Sequence, residues 1–183
     1  MQLRKLTTRY ITEEDRFLVS AESNRGNINL WLTQRLLLDL IPHLLRWLDA
    51  HSPEEPEQAE EAAEAIEDAA EGQAVDSPDG LSPQVASQLV SQTRPAVARV
   101  DAGSARQNIL VKTIQFQPRD GVLRLVFPLQ DEEAILLLQP EHLRIWLAAF
   151  YNGWQQTRWP GIWPEWMKQA YEIRRQYPVS TMH

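Results

Sequence analysis

Three observations predict an α+β fold. Apolar residues alternate with period two over three short runs and then recur at helical spacing, that order occurs twice, and a segment with acids but no cations separates the two occurrences. The expected organisation is a first βββα unit at 1–50, an acidic and largely disordered linker with a short helix at 51–108, a second βββα unit at 109–156, and a Trp-rich loop with a C-terminal helix at 157–183. Each unit is expected to be an antiparallel sheet with its helix packed on one face.

In the first unit, Leu3 to Ile11 reads as a strand with Leu6, Thr8 and Tyr10 on one face and Lys5, Thr7 and Arg9 on the other. Glu13-Glu14-Asp15 turns the chain. The run Arg16 to Ser23 then alternates Phe17, Val19 and Ala21 with Arg16, Leu18 and Ser20. Asn24-Arg25-Gly26-Asn27 is a hairpin signal, because Asn and Gly tolerate the positive φ of tight turns. Ile28, Leu30 and Leu32 mark the third strand. Thr33 is the expected N-cap of a helix running to about Ala50. Pro42 lies inside that helix and is expected to kink it.

In the second unit the strands are read at Ile109 to Phe116, Val122 to Leu129 and Ala134 to Leu138, with turns at Pro118 to Gly121 and Gln130 to Glu133. Pro140 suits the first helical position, where its missing N–H costs nothing. The helix continues through Leu143, Trp146, Leu147, Phe150, Tyr151 and Trp154. A shift of 106 positions superposes the two units without a gap, placing Tyr10 on Phe116, Phe17 on Leu123 and Leu37 on Leu143. The correspondence is one of pattern, consistent with a duplication or with two units built under the same rules.

Between the units, residues 51–80 hold eleven acids and no Lys or Arg. Removing eleven negative charges from the net −7 leaves +4, so the acidity belongs to one segment and the rest is mildly basic. Glu57 to Glu71 has helix-forming residues but almost no apolar face, and reads as disordered or as a solvated helix. Short and long helices are expected at Pro83 to Ser91 and at Pro164 to Tyr177. No run approaches the ~20 apolar residues of a membrane-spanning helix. The N-terminus shows no signal-peptide core, and the chain has no cysteine, so a cytoplasmic location is expected.

Three groups of residues are candidates for contact. Trp159, Trp163 and Trp166, close to Trp146 and Trp154, form either a groove for a partner or a flap that closes the core of the second unit. The helix from Gln34 to Leu48 carries more apolar residues than one sheet can cover, so Leu38 and Leu45 are either outward positions of a homodimer interface or buried between two sheets. Arg9, Arg16, Arg119 and Arg124 form either a basic sheet surface for single-stranded nucleic acid or an ordinary solvated face. The histidines His43, His51, His142 and His183 are scattered, the carboxylates of Glu13-Glu14-Asp15 and Asp131-Glu132-Glu133 sit in turns, and the glycines form no phosphate loop. No catalytic residue, metal site or cofactor is expected.

Glu13-Glu14-Asp15-Arg16-Phe17-Leu18, followed by Leu30-Trp31-Leu32-Thr33-Gln34-Arg35, resembles the N-terminal signature of a family of bacterial proteins with no assigned function. The resemblance covers about the first 50 residues and implies no activity. The sheet-then-helix order is also similar, in architecture alone, to the PUR-repeat and Whirly single-strand binders, which use four strands per repeat rather than three. The expectation is therefore a non-enzymatic adaptor or assembly protein with a protein partner, self-associating, with single-stranded nucleic-acid binding as the alternative.

Overall fold

A computed structural model describes residues 1–51, 81–93 and 98–176. The acidic stretch read as disordered or solvated, and the end of the last expected helix at Tyr177, lie outside the described residues.

The described chain is mixed α and β, with a four-stranded and a three-stranded sheet, four helices and a helical C-terminal region. The strands are β1 (Leu3–Ile11), β2 (Arg16–Ser23), β3 (Ile28–Leu32), β4 (Gln107–Leu110), β5 (Gln115–Arg119), β6 (Val122–Pro128) and β7 (Glu133–Leu138). The helices are α1 (Gln34–Ala50), α2 (Pro83–Thr93), α3 (Pro140–Trp154) and α4 (Glu165–Gln176). The first sheet has the order β1-β2-β3-β4 and the second β5-β6-β7.

The run expected as one strand from Ile109 to Phe116 is divided between the two sheets. Its first part extends β4, which lies parallel to β3 with Ile109 opposite Leu30. Val111 remains buried and donates its N–H to the Trp31 carbonyl at 3.0 Å. Lys112 and Thr113 are exposed, and the chain leaves the first sheet there before β5 begins the second. A parallel strand needs a long return connection, and the residues between α1 and β4 supply one.

The inward residues Phe17, Val19, Ala21, Leu30 and Leu32 belong to the same core as Leu123, Leu125, Phe127, Leu136 and Leu138. The expectation that each unit carries its own helix on its own sheet is corrected by the ring contacts. Phe150 of α3 meets Phe17 of β2 at 5.2 Å, and the Trp146 indole N–H donates to the Thr8 hydroxyl of β1 at 3.0 Å. From the other side, His43 of α1 lies 6.1 Å from Phe116 of β5. One shared core results, and it covers α1 on several faces. Leu37, Leu40, Ile41, Leu44, Leu45, Trp47 and Leu48 are all buried, each such side chain contributing about 1.5–3 kcal/mol on burial.

The sheets also meet edge to edge. Gln2 bridges Ile135 in parallel, and the Ile135 N–H donates to the Met1 carbonyl at 2.9 Å. Leu3 and Ala134 point into the core, so Gln2 and Ile135 point outward together and the outward faces of the two sheets adjoin.

The turns follow their residues. Gly26 has φ 102°, and a Cβ there would stand 2.7 Å from Cδ of Arg106. Asp120 and Gly121 both have positive φ, which closes the β5–β6 hairpin in two residues. Thr33 caps α1, its hydroxyl accepting from the Leu36 N–H at 3.4 Å, and Pro140 starts α3.

Candidate functional site

The tryptophans are largely consumed by packing. Trp154 and Trp163 are buried and meet edge to face at 5.6 Å, and Tyr151 meets Trp163 in the same way at 5.2 Å. The Trp154 N–H donates to the Pro160 carbonyl at 3.1 Å, tying the loop after α3 to that helix. Trp159 is half-buried over Tyr10, Phe17 and Trp154. Its indole N–H donates to Asp15 Oδ1 at 2.8 Å, and the Tyr10 hydroxyl donates to the same oxygen at 2.6 Å. The hydrogen bond to Asp15, with burial and the carboxylate charge in support, holds the Tyr10 phenol up at about 12. The Trp159 loop therefore seals the first sheet, and not only the second unit as expected.

Trp166 is half-buried at a junction of three helices. The Arg144 guanidinium, itself buried, lies 5.5 Å from the Trp166 ring centroid. Arg144 donates to the side-chain oxygen of Gln84 on α2 at 2.5 Å, and Gln88 donates back to the Arg144 carbonyl at 3.1 Å. Burial pushes the Arg144 guanidinium down to about 10, with Asp49 opposing, so it stays charged at neutral pH. Val85, Ala86 and Leu89 pack with Ala170 of α4, which makes α2 part of the folded body.

Leu45, expected at an outward position, is buried, and Leu38 is half-buried against the core. The surplus of apolar faces on α1 is covered within one chain, so that surplus no longer argues for a dimer.

The outward faces of the sheets carry two of the three exposed large apolar residues among the described residues, the third being Ile145 of α3 at 38%. On the first sheet one outward row runs Thr7, Ser20, Asn29, Asn108, and the next runs Arg9, Leu18, Trp31, Leu110. The first row is covered by the chain itself. Val100 N–H donates to Thr7 Oγ1 at 2.8 Å, Asn29 Nδ2 donates to the Ala102 carbonyl at 3.0 Å, and Asn27 Nδ2 donates to Ser104 Oγ at 2.7 Å. The buried Ser20 hydroxyl completes the network by donating to Asn29 Oδ1 at 2.8 Å. Residues 100–104 thus cross from β1 to β3, with a 3-10 turn over Ala102–Ser104, held by side-chain amides and hydroxyls.

The second row stays open at both ends, with Arg9 exposed and Leu110 46% exposed. On the second sheet the row Gln117, Arg124, Leu137 ends on Leu137, also 46% exposed. Arg16 lies on the outward face of β2, half-buried, its nearest acid Glu14 at 3.9 Å. Arg119 is 88% exposed, and among the described residues its ion pair is with Asp120. The four arginines expected to form one basic surface are therefore split, Arg9 and Arg16 on the first sheet and Arg119 and Arg124 on the second.

Trp31, Leu110 and Leu137 were not among the residues nominated from sequence. A signal for two of them was present: Trp31 and Leu137 are large apolar residues out of phase with the inward sets Leu30/Leu32 and Leu136/Leu138. Among the described residues no group of three or more His, Cys, Asp or Glu is placed to hold a metal ion, and no helix is long and apolar enough to cross a membrane. Comparison with protein-family models, with curated proteins and with solved structures finds no match.

Proposed function

We propose that this chain is a cytoplasmic, non-enzymatic adaptor that engages a partner protein through the outward faces of its sheets. The observation that carries the reading is where apolar side chains remain exposed. The buried residues first considered for contact, Trp163 and Leu45, contribute to the core, whereas Leu110 and Leu137 stand outward on the two sheets at 46% exposure each. Large apolar groups left exposed on a sheet face are a usual mark of a protein contact.

Site-specific photo-crosslinking in cells of the source organism tests this. A photoreactive residue at Leu110 or Leu137 is expected to capture the same partner, and one at the exposed Arg175 of α4 is expected to capture none. Equal capture from all three positions would overturn the reading. The alternative, single-stranded nucleic acid, is supported by Arg9 and Arg16 sharing a face with Trp31, a ring on which a base can stack.

A further inference from the structure

Five ring contacts make one continuous line through the molecule. Tyr171 of α4 meets Tyr151 of α3 at 5.1 Å, and Tyr151 meets Trp163 at 5.2 Å. Trp163 meets Trp154 at 5.6 Å, Trp154 meets Trp159 at 5.0 Å, and Trp159 meets Tyr10 of β1 at 5.7 Å. Every contact is edge to face, and at these centroid separations the ring edges touch. Tyr151, Trp154 and Trp163 are buried, whereas Tyr171 and Tyr10 are half-buried, so the line joins two surfaces through the core. In a chain without cysteine, tyrosine and tryptophan are the side chains that lose one electron most readily. Phe17, which resists oxidation, lies beside Tyr10, Trp154 and Trp159 and is not needed as a link.

The places where a proton can leave give the line a direction. An oxidised indole or phenol becomes a strong acid, and the oxidation is trapped where a base takes that proton. The Trp163 N–H is buried with no hydrogen-bond partner among the described residues, and the Trp154 N–H is held by the Pro160 carbonyl, which is no base. Burial pushes the Tyr151 phenol up, which opposes proton loss there. At the other end the Trp159 N–H and the Tyr10 hydroxyl both donate to Asp15 Oδ1, at 2.8 and 2.6 Å. Among the described residues Tyr10 is the one tyrosine whose hydroxyl donates to a carboxylate.

From this geometry we propose that the line carries an oxidising equivalent from the α4 face to Tyr10, with a one-electron oxidant of the radical class as its substrate. The oxidant gains one electron from Trp163, reached through Tyr171 and Tyr151, and leaves an indole radical cation with its N–H intact. Electrons then pass from Trp154 to Trp163, from Trp159 to Trp154 and from Tyr10 to Trp159. As the last electron leaves, the Tyr10 O–H bond breaks and an O–H bond forms on Asp15 Oδ1, across the 2.6 Å hydrogen bond. A neutral tyrosyl radical and a protonated Asp15 remain, and the three tryptophans are restored. This activity is separate from the adaptor reading, since Leu110 and Leu137 take no part in it.

The test uses the full chain with a ruthenium tris(bipyridyl) photo-oxidant attached through Arg175→Cys, four residues after Tyr171 on α4, and a cobalt(III) acceptor in solution. The chain has no other cysteine, so the label goes to one place. After a flash, transient absorption is expected to show a tryptophan radical that decays into a tyrosyl radical. Tyr10→Phe should abolish the tyrosyl signal and let the tryptophan radical persist at least tenfold longer. Trp159→Phe keeps a ring in the line but not one that is oxidised, and should slow the tyrosyl signal at least tenfold. Asp15→Asn keeps an acceptor but removes the base, and should lower the tyrosyl yield at least tenfold. A tyrosyl signal unchanged in Tyr10→Phe would place the end of the path on another tyrosine and overturn the proposal. So would an unchanged rate in Trp159→Phe or an unchanged yield in Asp15→Asn. The comparison of label sites needs no change within the line: the photo-oxidant on Arg119→Cys, at the tip of the β5–β6 hairpin, should give little Tyr10 radical. Equal yield from the two sites would mean that no particular path is used, and would sink the idea even if a core variant failed to fold.

Discussion

The second hairpins of the two sheets have equivalent registers and different surroundings. Leu18 pairs with Trp31 and Val19 with Leu30 in the first sheet; Arg124 pairs with Leu137 and Leu125 with Leu136 in the second, each related by the same shift of 106. The first hairpins do not correspond. Tyr10 faces Phe17, but Phe116 faces Leu125 rather than Leu123, a slip of two residues that keeps every side chain on its face. The turns account for the slip. The β5–β6 hairpin closes on Asp120-Gly121, whereas β1 and β2 are joined by Thr12 to Glu14 and by Asp15 at φ 47°. Gly121 adopts positive φ freely. Asp15 does so as a carboxylate bonded to both Tyr10 and Trp159, so the same backbone requirement has been turned into a tie between the first sheet and the C-terminal loop.

The outer faces differ more. The first sheet has gained β4 and the 100–104 cover, and Leu18, Ser20 and Asn29 are buried beneath them. The second sheet has no such cover among the described residues: Gln115, Gln117, Arg119 and Leu137 are exposed, and only Val126, near the junction with β1, is fully buried on that side. One sheet has become a two-sided layer and the other has kept a solvent face.

The largest effect is expected where the halves interlock. Phe17 is fully buried and touches Tyr10, Phe150, Trp154 and Trp159, so Phe17→Ala should cost about 3–5 kcal/mol in denaturant unfolding. If the two sheets were independent bodies, the second sheet would keep its transition in that variant. A single shifted transition is expected instead, because the core is continuous.

Next comes the cover of the first sheet. Asn29→Ala removes the amide that holds the Ala102 carbonyl and leaves the Ser20 hydroxyl without its acceptor, at a cost of about 1–3 kcal/mol. Limited proteolysis should then cut within 100–106. The corresponding change on the second sheet, Ile135→Ala, should leave that segment protected. Cleavage at the same rate in both variants would show that the polar row is not what holds the cover.

Much of this was legible from residue patterns, because each strand needed only period two and each helix only a cap and an apolar stripe. Nine of the elements lie close to where alternation and helical spacing place them, with Thr33 and Pro140 at the helix starts. What pattern could not supply was partnership. Ile109 and Val111 alternate as a strand whichever sheet they join, and nothing local tells that they add to β3 while Phe116 begins the other sheet. The same limit hid the crossing of the helices and made α1 look uncovered. The nominated tryptophans divide for a related reason: a large apolar residue reads alike whether it is buried, as Trp163 is, or half-buried, as Trp159 and Trp166 are, and only its phase distinguishes Trp31 and Leu137 from the rest.

A smaller effect reports on the tie at Asp15. The Tyr10 phenol is raised from 10.0 to about 12 in the folded chain, so its proton is held more tightly there than in the unfolded chain. The stability this contributes is fully present below pH 10 and is lost as pH rises toward 12. Asp15→Ala removes the acceptor and should bring the Tyr10 titration, followed by tyrosinate absorbance, back toward 10.0 while quenching or shifting the Trp159 emission. An unchanged titration would mean that burial, not the Asp15 bond, sets the phenol. No counterpart is expected at Phe116, which has no hydroxyl, so the second sheet serves as its own control.

The smallest effect expected is none. A single-stranded DNA or RNA 20-mer should show no binding below about 10 μM at 150 mM salt. Strong binders make roughly 6–10 phosphate contacts, and the outward arginines are divided between two sheets rather than gathered on one. Arg119 is engaged with Asp120, and Arg124 donates to Gln117, which leaves Arg9 and Arg16 on the first sheet as the main cations near Trp31. The eleven acids of residues 51–80 would also compete with phosphate for those cations, with a reach limited by a Debye length of about 8 Å. Deleting residues 54–78 removes that competitor and is expected to leave the melting temperature within a few degrees. If the deleted protein then binds the strand tightly, with a steep salt dependence and quenched Trp31 fluorescence, the first sheet is a nucleic-acid surface and its difference from the second is one of ligand class. If neither protein binds, the contrast between the faces stands as one of protein contact, and Trp31 and Leu110 are the residues through which to pursue it.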